Sequence, residues 1–291
     1  MAVLLENEFL AVTISEFGAE LTSIRDKKSG REYLWNGDAK YWKRHAPVLF
    51  PIEGKLKDDT YYVDNQVFHM SQHGFARDMA FDVLEKAETK ASFELKSNAQ
   101  TKAKYPYDFA FIITYSLEQN TVKTNYTVKN PSEQTIYFGL GAHPAFSTQL
   151  SAADKFEDYV ITTSPRKTLT RIPLEQGLVN PKKAYPEDVG EFKVTHALFK
   201  DDALIYDLGQ TEQEFTLKST VHGHGVTVKT PDSKALGLWS CYPNEGQFVC
   251  IEPWWSVADT VDTDQNFKSK YYTNTLKAGE SFSAGFETII F

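Results

Sequence analysis

The chain has 291 residues, 41% hydrophobic and 24% charged, enough apolar material for a sizeable globular core. Its formal net charge of -8 leaves no basic footprint for nucleic acid. No apolar run reaches the roughly 18 residues of a membrane span. The segment Met1–Val12 lacks the basic start of a signal peptide, and two cysteines, Cys241 and Cys250, are too few for a disulfide framework. A cytoplasmic protein with neither a membrane nor a nucleic-acid partner is expected.

Short alternating segments recur along the whole chain. Phe9–Ile14 is the first, and short helical turns are expected at Asp38–His45, Thr195–Lys200 and Val257–Val261. Val67–Met70 reads as strand, so His69 and His73 do not share a helical face. Ala91–Lys96 and the apolar, β-branched run Phe109–Leu117 follow. Asn120–Asn130 carries the clearest period of two: Val122, Thr124, Tyr126 and Val128 share one face, Lys123, Asn125, Thr127 and Lys129 the other. Pro165–Pro186, rich in Pro, Lys and Gly, reads as a long surface loop. Glu214–Lys218, Gly225–Lys229 and Gly279–Phe291 complete the strands, separated by turn signals such as Asp64-Asn65 and Asn244-Glu245-Gly246. No β-α-β alternation or internal repeat occurs, so the expectation is an all-β protein forming one antiparallel domain over residues 1–291. No exposed amphipathic seam stands out, which makes a monomer the default.

Four patches carry candidate chemistry. In Gly139–Phe146, Gly139, Gly141 and His143 share an extended face, where two glycines would leave space beside the imidazole and Pro144 ends the strand. The plain alternative is a histidine that merely closes a strand. In Phe248–Trp255, Glu252 ends an apolar run; a carboxylate resists desolvation, so a buried one should have a partner or a task. Trp254 and Trp255 could offer a platform for a sugar ring, while the alternative is a glutamate at the rim facing water. Gln72–Asp78 packs an amide, an imidazole and a guanidinium around Gly74, suited to hydroxyl groups or, through Arg77, to an anion. Ala46–Lys57 is an apolar run between prolines that breaks at Gly54 into Lys55 and Lys57. His222-Gly223-His224 could touch a metal, but two histidines without a third local ligand are weak evidence.

Taken in order, Pro47–Lys57, His73-Gly74-Phe75-Ala76-Arg77, His143-Pro144-Ala145-Phe146 and Cys250-Ile251-Glu252-Pro253-Trp254 resemble the aldose 1-epimerase (galactose mutarotase) family, in its LacX-like branch. The resemblance covers nearly the full chain. It implies a galactose-mutarotase-like β-supersandwich of large twisted antiparallel sheets, and an isomerase that interconverts α and β anomers of a hexose. It further implies His143 as general acid, Glu252 as general base, and Gln72, His73, Arg77, Asp202 and Lys55 as substrate-binding residues, with Asp201 the alternative to Asp202. Lys55 stands where many relatives carry arginine, and a lysine lacks the planar bidentate contact. Neither a metal nor an organic cofactor is implied, since the chemistry is proton transfer. The expected partner is a small sugar, phosphorylated or not.

Two readings compete with this one. A carbohydrate-binding β-sandwich would use the same aromatic and polar groups without turnover, and a metal enzyme would take His73, His143 and Glu252 as ligands. Within the enzyme reading, Glu252 and His143 are expected to hold each other charged, the carboxylate raising the imidazole and the imidazolium lowering the carboxyl.

Overall fold

The structure, a computed structural model, describes residues 1–291. It is 49% strand and 8% helix, so the all-β expectation holds. A 15-stranded sheet dominates, and every strand pairing in it is antiparallel. From one edge it runs Val48–Leu49, Gly141–Ala142, Phe248–Trp254, Ala235–Trp239, Leu204–Asp207 and Tyr159–Ile172. It continues through Gln213–Ser219, Gly225–Thr230, Ser281–Ile290, Thr121–Lys129, Ala110–Glu118 and Lys90–Lys96 to Asp82–Lys86. A three-stranded sheet of Ala2–Glu6, Leu10–Ser15 and Leu21–Asp26 accompanies it.

Alternation explains the long central strands. In Thr121–Lys129 the residues Val122, Thr124, Tyr126 and Val128 are buried and their neighbours are not, as a half-buried strand requires. The buried faces feed a cluster of 63 apolar residues, in which Phe50 stacks on Phe111 with ring centroids 4.5 Å apart. Asp64 and Asn65 both take positive φ, 48° and 64°, the backbone a two-residue hairpin turn needs between Thr60–Val63 and Gln66–His69.

Two local expectations are corrected. Pro165–Pro186 is not a loop but largely paired strand: Tyr159–Ile172 runs beside Tyr185–Lys193. Pro165 falls in the register shift between Thr162 and Lys167, and Pro186 lies on a strand paired on one side only, the two places where a sheet accepts a missing N–H donor. Val257–Val261 forms extended chain rather than a helical turn, whereas Asp38–His45 holds a single turn closed by the Tyr41 and Trp42 N–H groups donating to the Asp38 carbonyl, and His196–Phe199 is a 3-10 turn as expected. The one α-helical turn, Ala99–Lys102, was not foreseen; it is held by a reciprocal Asn98–Thr101 capping box. No helix is long and apolar enough to cross a membrane.

Candidate active site

The strand Phe248–Trp254 is buried at all seven positions, so Glu252 is carried into the interior by its neighbours. It pairs with Gly141–Ala142 through Gly141↔Trp254 and with Ala145–Ser147 through Ala145↔Cys250. Counting between these two anchors sets His143 opposite Glu252 on the adjacent strand. His143 Nδ1 lies 3.4 Å from Glu252 Oε2, and both residues are more than nine-tenths buried. Neither atom has a hydrogen-bond partner.

The glycines act differently from the expectation. A Cβ on Gly141 would stand 2.8 Å from the Trp254 ring and 3.1 Å from Glu53 Cγ, and one on Gly237 would stand 2.5 Å from Trp254. They admit Trp254 and Glu53 rather than leave open space for a ligand. Trp255 likewise points away: it is 1% exposed, sits against Tyr126 and donates its indole N–H to Asp232 over 3.0 Å. The aromatic wall beside the imidazole comes instead from Trp42, stacked on His143 at 4.9 Å, and Trp239, edge-on at 5.5 Å.

His73 and Gly74 both adopt positive φ, 69° and 71°. A Cβ at Gly74 would lie 2.3 Å from the Phe50 carbonyl oxygen, so only glycine fits there. The Gly54 N–H donates to His73 Nδ1 over 3.1 Å, which leaves the ring proton on Nε2. Burial, then the nearby His143, Arg77 and Arg44, hold His73 well below its ordinary value, so it is neutral. Arg77 donates to the Gln72 carbonyl over 2.8 Å, and its buried Nε has no partner. Desolvation brings its guanidinium down to about 10, and it stays cationic at neutral pH.

These residues line a cleft of about 530 Å³, within the size range of small-molecule sites. Gln72, His73, Arg77, His143, Asp202 and Glu252 all line it, with Trp42, Trp239 and Trp254 as walls and Lys43 and Arg44 also in its lining. Asp201 points to solvent, its side chain 88% exposed, so Asp202 is the aspartate that reaches the cleft. Lys55 does not line it; its side chain lies against Gly177, which does.

Sequence reasoning missed Glu53, Trp42, Arg44 and Trp239. Glu53 had a legible signal, an acidic residue closing the buried apolar run Val48–Ile52, the same sign that drew attention to Glu252. It is 1% exposed, lines the cleft, and its Oε2 has no partner. Burial raises its carboxyl, and the buried Lys270 only partly opposes that.

Charge in the cleft departs from expectation. Desolvation, followed by the Glu53 and Asp202 carboxyls, lifts Glu252 well above the usual carboxylate range. Desolvation, followed by Arg77, drives His143 down to about 3. The expected mutual stabilisation of two charges is outweighed because both would sit out of water. A neutral imidazole with a protonated carboxyl holds the same single proton as the ion pair, placed on the other partner. The metal alternative also changes. The group that converges is His143, Cys250 and Glu252, with donor atoms within 4.8 Å of one another, and His73 is not part of it.

The large antiparallel sheets and the cleft at the Gly141–Ser147 crossing define a galactose-mutarotase-like β-supersandwich. The chain superposes with a TM-score of 0.98 on a galactose mutarotase related enzyme from Lactobacillus acidophilus, 37% identical, covering all of this chain and 97% of that one. A galactose mutarotase-like protein from Lactobacillus casei gives 0.91 at 32% identity, with both chains fully covered. The chain belongs to the aldose 1-epimerase family, whose model matches residues 1–273. It is also 34% identical to the chromosomal protein LacX of Lactococcus lactis subsp. lactis over 281 residues, 93% of each chain.

Proposed function

We propose that the protein is a mutarotase acting as one domain in the cytoplasm, interconverting the α and β anomers of a hexose. The observation that carries this reading is the His143–Glu252 pair, buried, unpartnered and 3.4 Å apart at the wall of a polar cleft. A module that only bound sugar would gain nothing from burying an unsatisfied carboxyl beside an unsatisfied imidazole, since each costs desolvation.

In the forward step Glu252 takes the proton of the C1 hydroxyl, C1=O forms, and the bond from C1 to the ring oxygen breaks as His143 protonates that oxygen. The aldehyde rotates about C1–C2. Closure then reverses both transfers and delivers either anomer. After ring opening the pair is a carboxylic acid and a neutral imidazole, the distribution that desolvation favours in this cleft. Opening therefore relaxes the pair electrostatically. The cyclic sugar must hold the charged form through the C1 hydroxyl donating to Glu252 and the ring oxygen accepting from His143. Gln72, His73 Nε2–H, Arg77 and Asp202 bind the remaining hydroxyls, and Trp42 and Trp239 face the apolar side of the ring.

A second reading has its own observation. Lys43, Arg44 and Arg77 all line the cleft; Arg44 donates to Asp78 over 2.9 Å, while the buried Arg77 Nε has no partner and a phosphorylated hexose would supply one. Polarimetry of freshly dissolved α-D-glucose and α-D-galactose, repeated with glucose 6-phosphate, decides between the two. The reading requires that the wild type speed relaxation of at least one. His143→Asn and Glu252→Gln should each slow it by roughly a hundredfold or more. No acceleration of any sugar by the wild type returns the protein to the binding-module class.

A further inference from the structure

A second group of convergent donors lies away from the cleft. The pairing Tyr159↔Ser219 brings the loop that precedes Tyr159 against the turn joining Gln213–Ser219 to Gly225–Thr230. That loop carries Asp154, and the turn carries His222 and His224. Asp154 Oδ1 is 2.6 Å from His222 Nδ1, and Oδ2 is 2.9 Å from His224 Nε2. The two imidazoles lie parallel within 9°, their centroids 5.5 Å apart. All three donor atoms fall within 4.8 Å of one another, and none of the three residues lines the cleft.

We propose that Asp154, His222 and His224 form a binding site for a divalent transition cation of the zinc class, which staples the turn to the loop. Two imidazoles and one carboxylate are a borderline-soft donor set, suited to such ions and poor for calcium or magnesium, which take mostly oxygen. The carboxylate is already oriented from behind: its Oδ2 accepts from the Ser151 N–H at 2.9 Å and the Tyr159 hydroxyl at 2.8 Å. Such outer contacts fix a ligand before the ion arrives. Around a tetrahedral ion with bonds near 2.0 Å, neighbouring donors stand about 3.3 Å apart, so the two contacts must widen by roughly half an ångström. His222 can move that far. It is exposed, and beside it Gly223, at φ +75°, has nothing within 4 Å of where a Cβ would stand. The exposed side leaves the fourth position to water.

The test is calorimetric titration of the chelator-dialysed full chain with zinc chloride, paired with melting curves. The wild type should take up one equivalent saturably and melt higher with zinc. His222→Ala, a substitution at an exposed turn position, should weaken binding at least tenfold and abolish the rise in Tm, and Asp154→Asn should do the same. His143→Asn disrupts the other convergent group, His143, Cys250 and Glu252, and should keep the binding. Absence of saturable uptake by the wild type would overturn the proposal and leave a hydrogen-bonded carboxylate. So would zinc binding that survives His222→Ala or disappears in His143→Asn.

Discussion

Replacing Glu53 by glutamine removes an ionisable group while keeping its shape, and it should reveal what the buried carboxyl costs the fold. Glu53 is lifted from 4.5 to about 8, first by burial and against the pull of Lys270. The unfolded chain therefore releases this proton near 4.5, while the folded protein keeps it until about 8. Between those values the folded state binds more protons, so stability falls as pH rises. The slope approaches 1.4 kcal/mol per pH unit, with a ceiling of roughly 5 kcal/mol across the window. Relaxation and water entry lower that ceiling, and about 2–4 kcal/mol at pH 8 is the working expectation. Urea unfolding of wild type and Glu53→Gln at half-unit steps from pH 4.5 to 9 measures it. The two should be nearly equal at the acidic end, with the variant progressively more stable above it. Parallel curves, or a wild type that gains on the variant with rising pH, would refute a buried protonated Glu53.

His143 should show the opposite slope. Its folded value is held down to about 3, so the unfolded chain takes up its proton first, near 6.5, as pH falls. The stability it contributes is present above that value and lost on descent towards about 3, and His143→Asn should flatten that limb of the unfolding profile. Gly141→Ala should cost roughly 1–3 kcal/mol by forcing a Cβ against the Trp254 ring, seen as a lowered urea midpoint at unchanged m value. Trp42→Ala strips the ring stacked on His143 and should lower kcat in polarimetry more than it raises KM, whereas an equal change in KM alone would make Trp42 merely a wall for the sugar. Arg77→Lys should raise KM for whichever sugar is turned over, most steeply if that sugar is phosphorylated.

Much of the fold could be read from period-two patterning, because burial on one face of Thr121–Lys129 or Ser281–Ile290 imposes it residue by residue. Pairing is not written that way. Pro165–Pro186 looked like loop because its prolines and lysines suit an edge as well as they suit a turn, and only the partner strand shows which. In the cleft, the sequence motifs located His143, Glu252, His73 and Arg77 one at a time. That His143 stands opposite Glu252 depends on a register between segments more than a hundred residues apart. The same holds for Asp154, which approaches His222 from 68 residues away. Trp42 and Trp239 gave no local sign, since an aromatic residue in a turn or a strand is ordinary until its neighbour is known. The charge state was misjudged for a related reason: proximity favours an ion pair, but the depth of burial, which the sequence does not display, reverses the balance.

His143 sits in the two-residue break between Gly141–Ala142 and Ala145–Ser147, and because both flanking strands pair with Phe248–Trp254 the sheet on either side sets its distance from Glu252. Neighbouring strands keep a spacing of about 4.8 Å because backbone hydrogen bonds hold it, whatever the side chains are. The separation of His143 and Glu252, donor and acceptor in the proposed reaction, is thus tied to the most constant dimension a β protein has. Gln72 to Arg77 and Asp202, which the proposed function assigns to the rest of the sugar, lie outside the strands and are not fixed in this way. If the proposed roles hold, substrate preference can drift through those segments by insertion or substitution while the His143–Glu252 spacing stays put, so one scaffold could serve several sugars with the same proton chemistry.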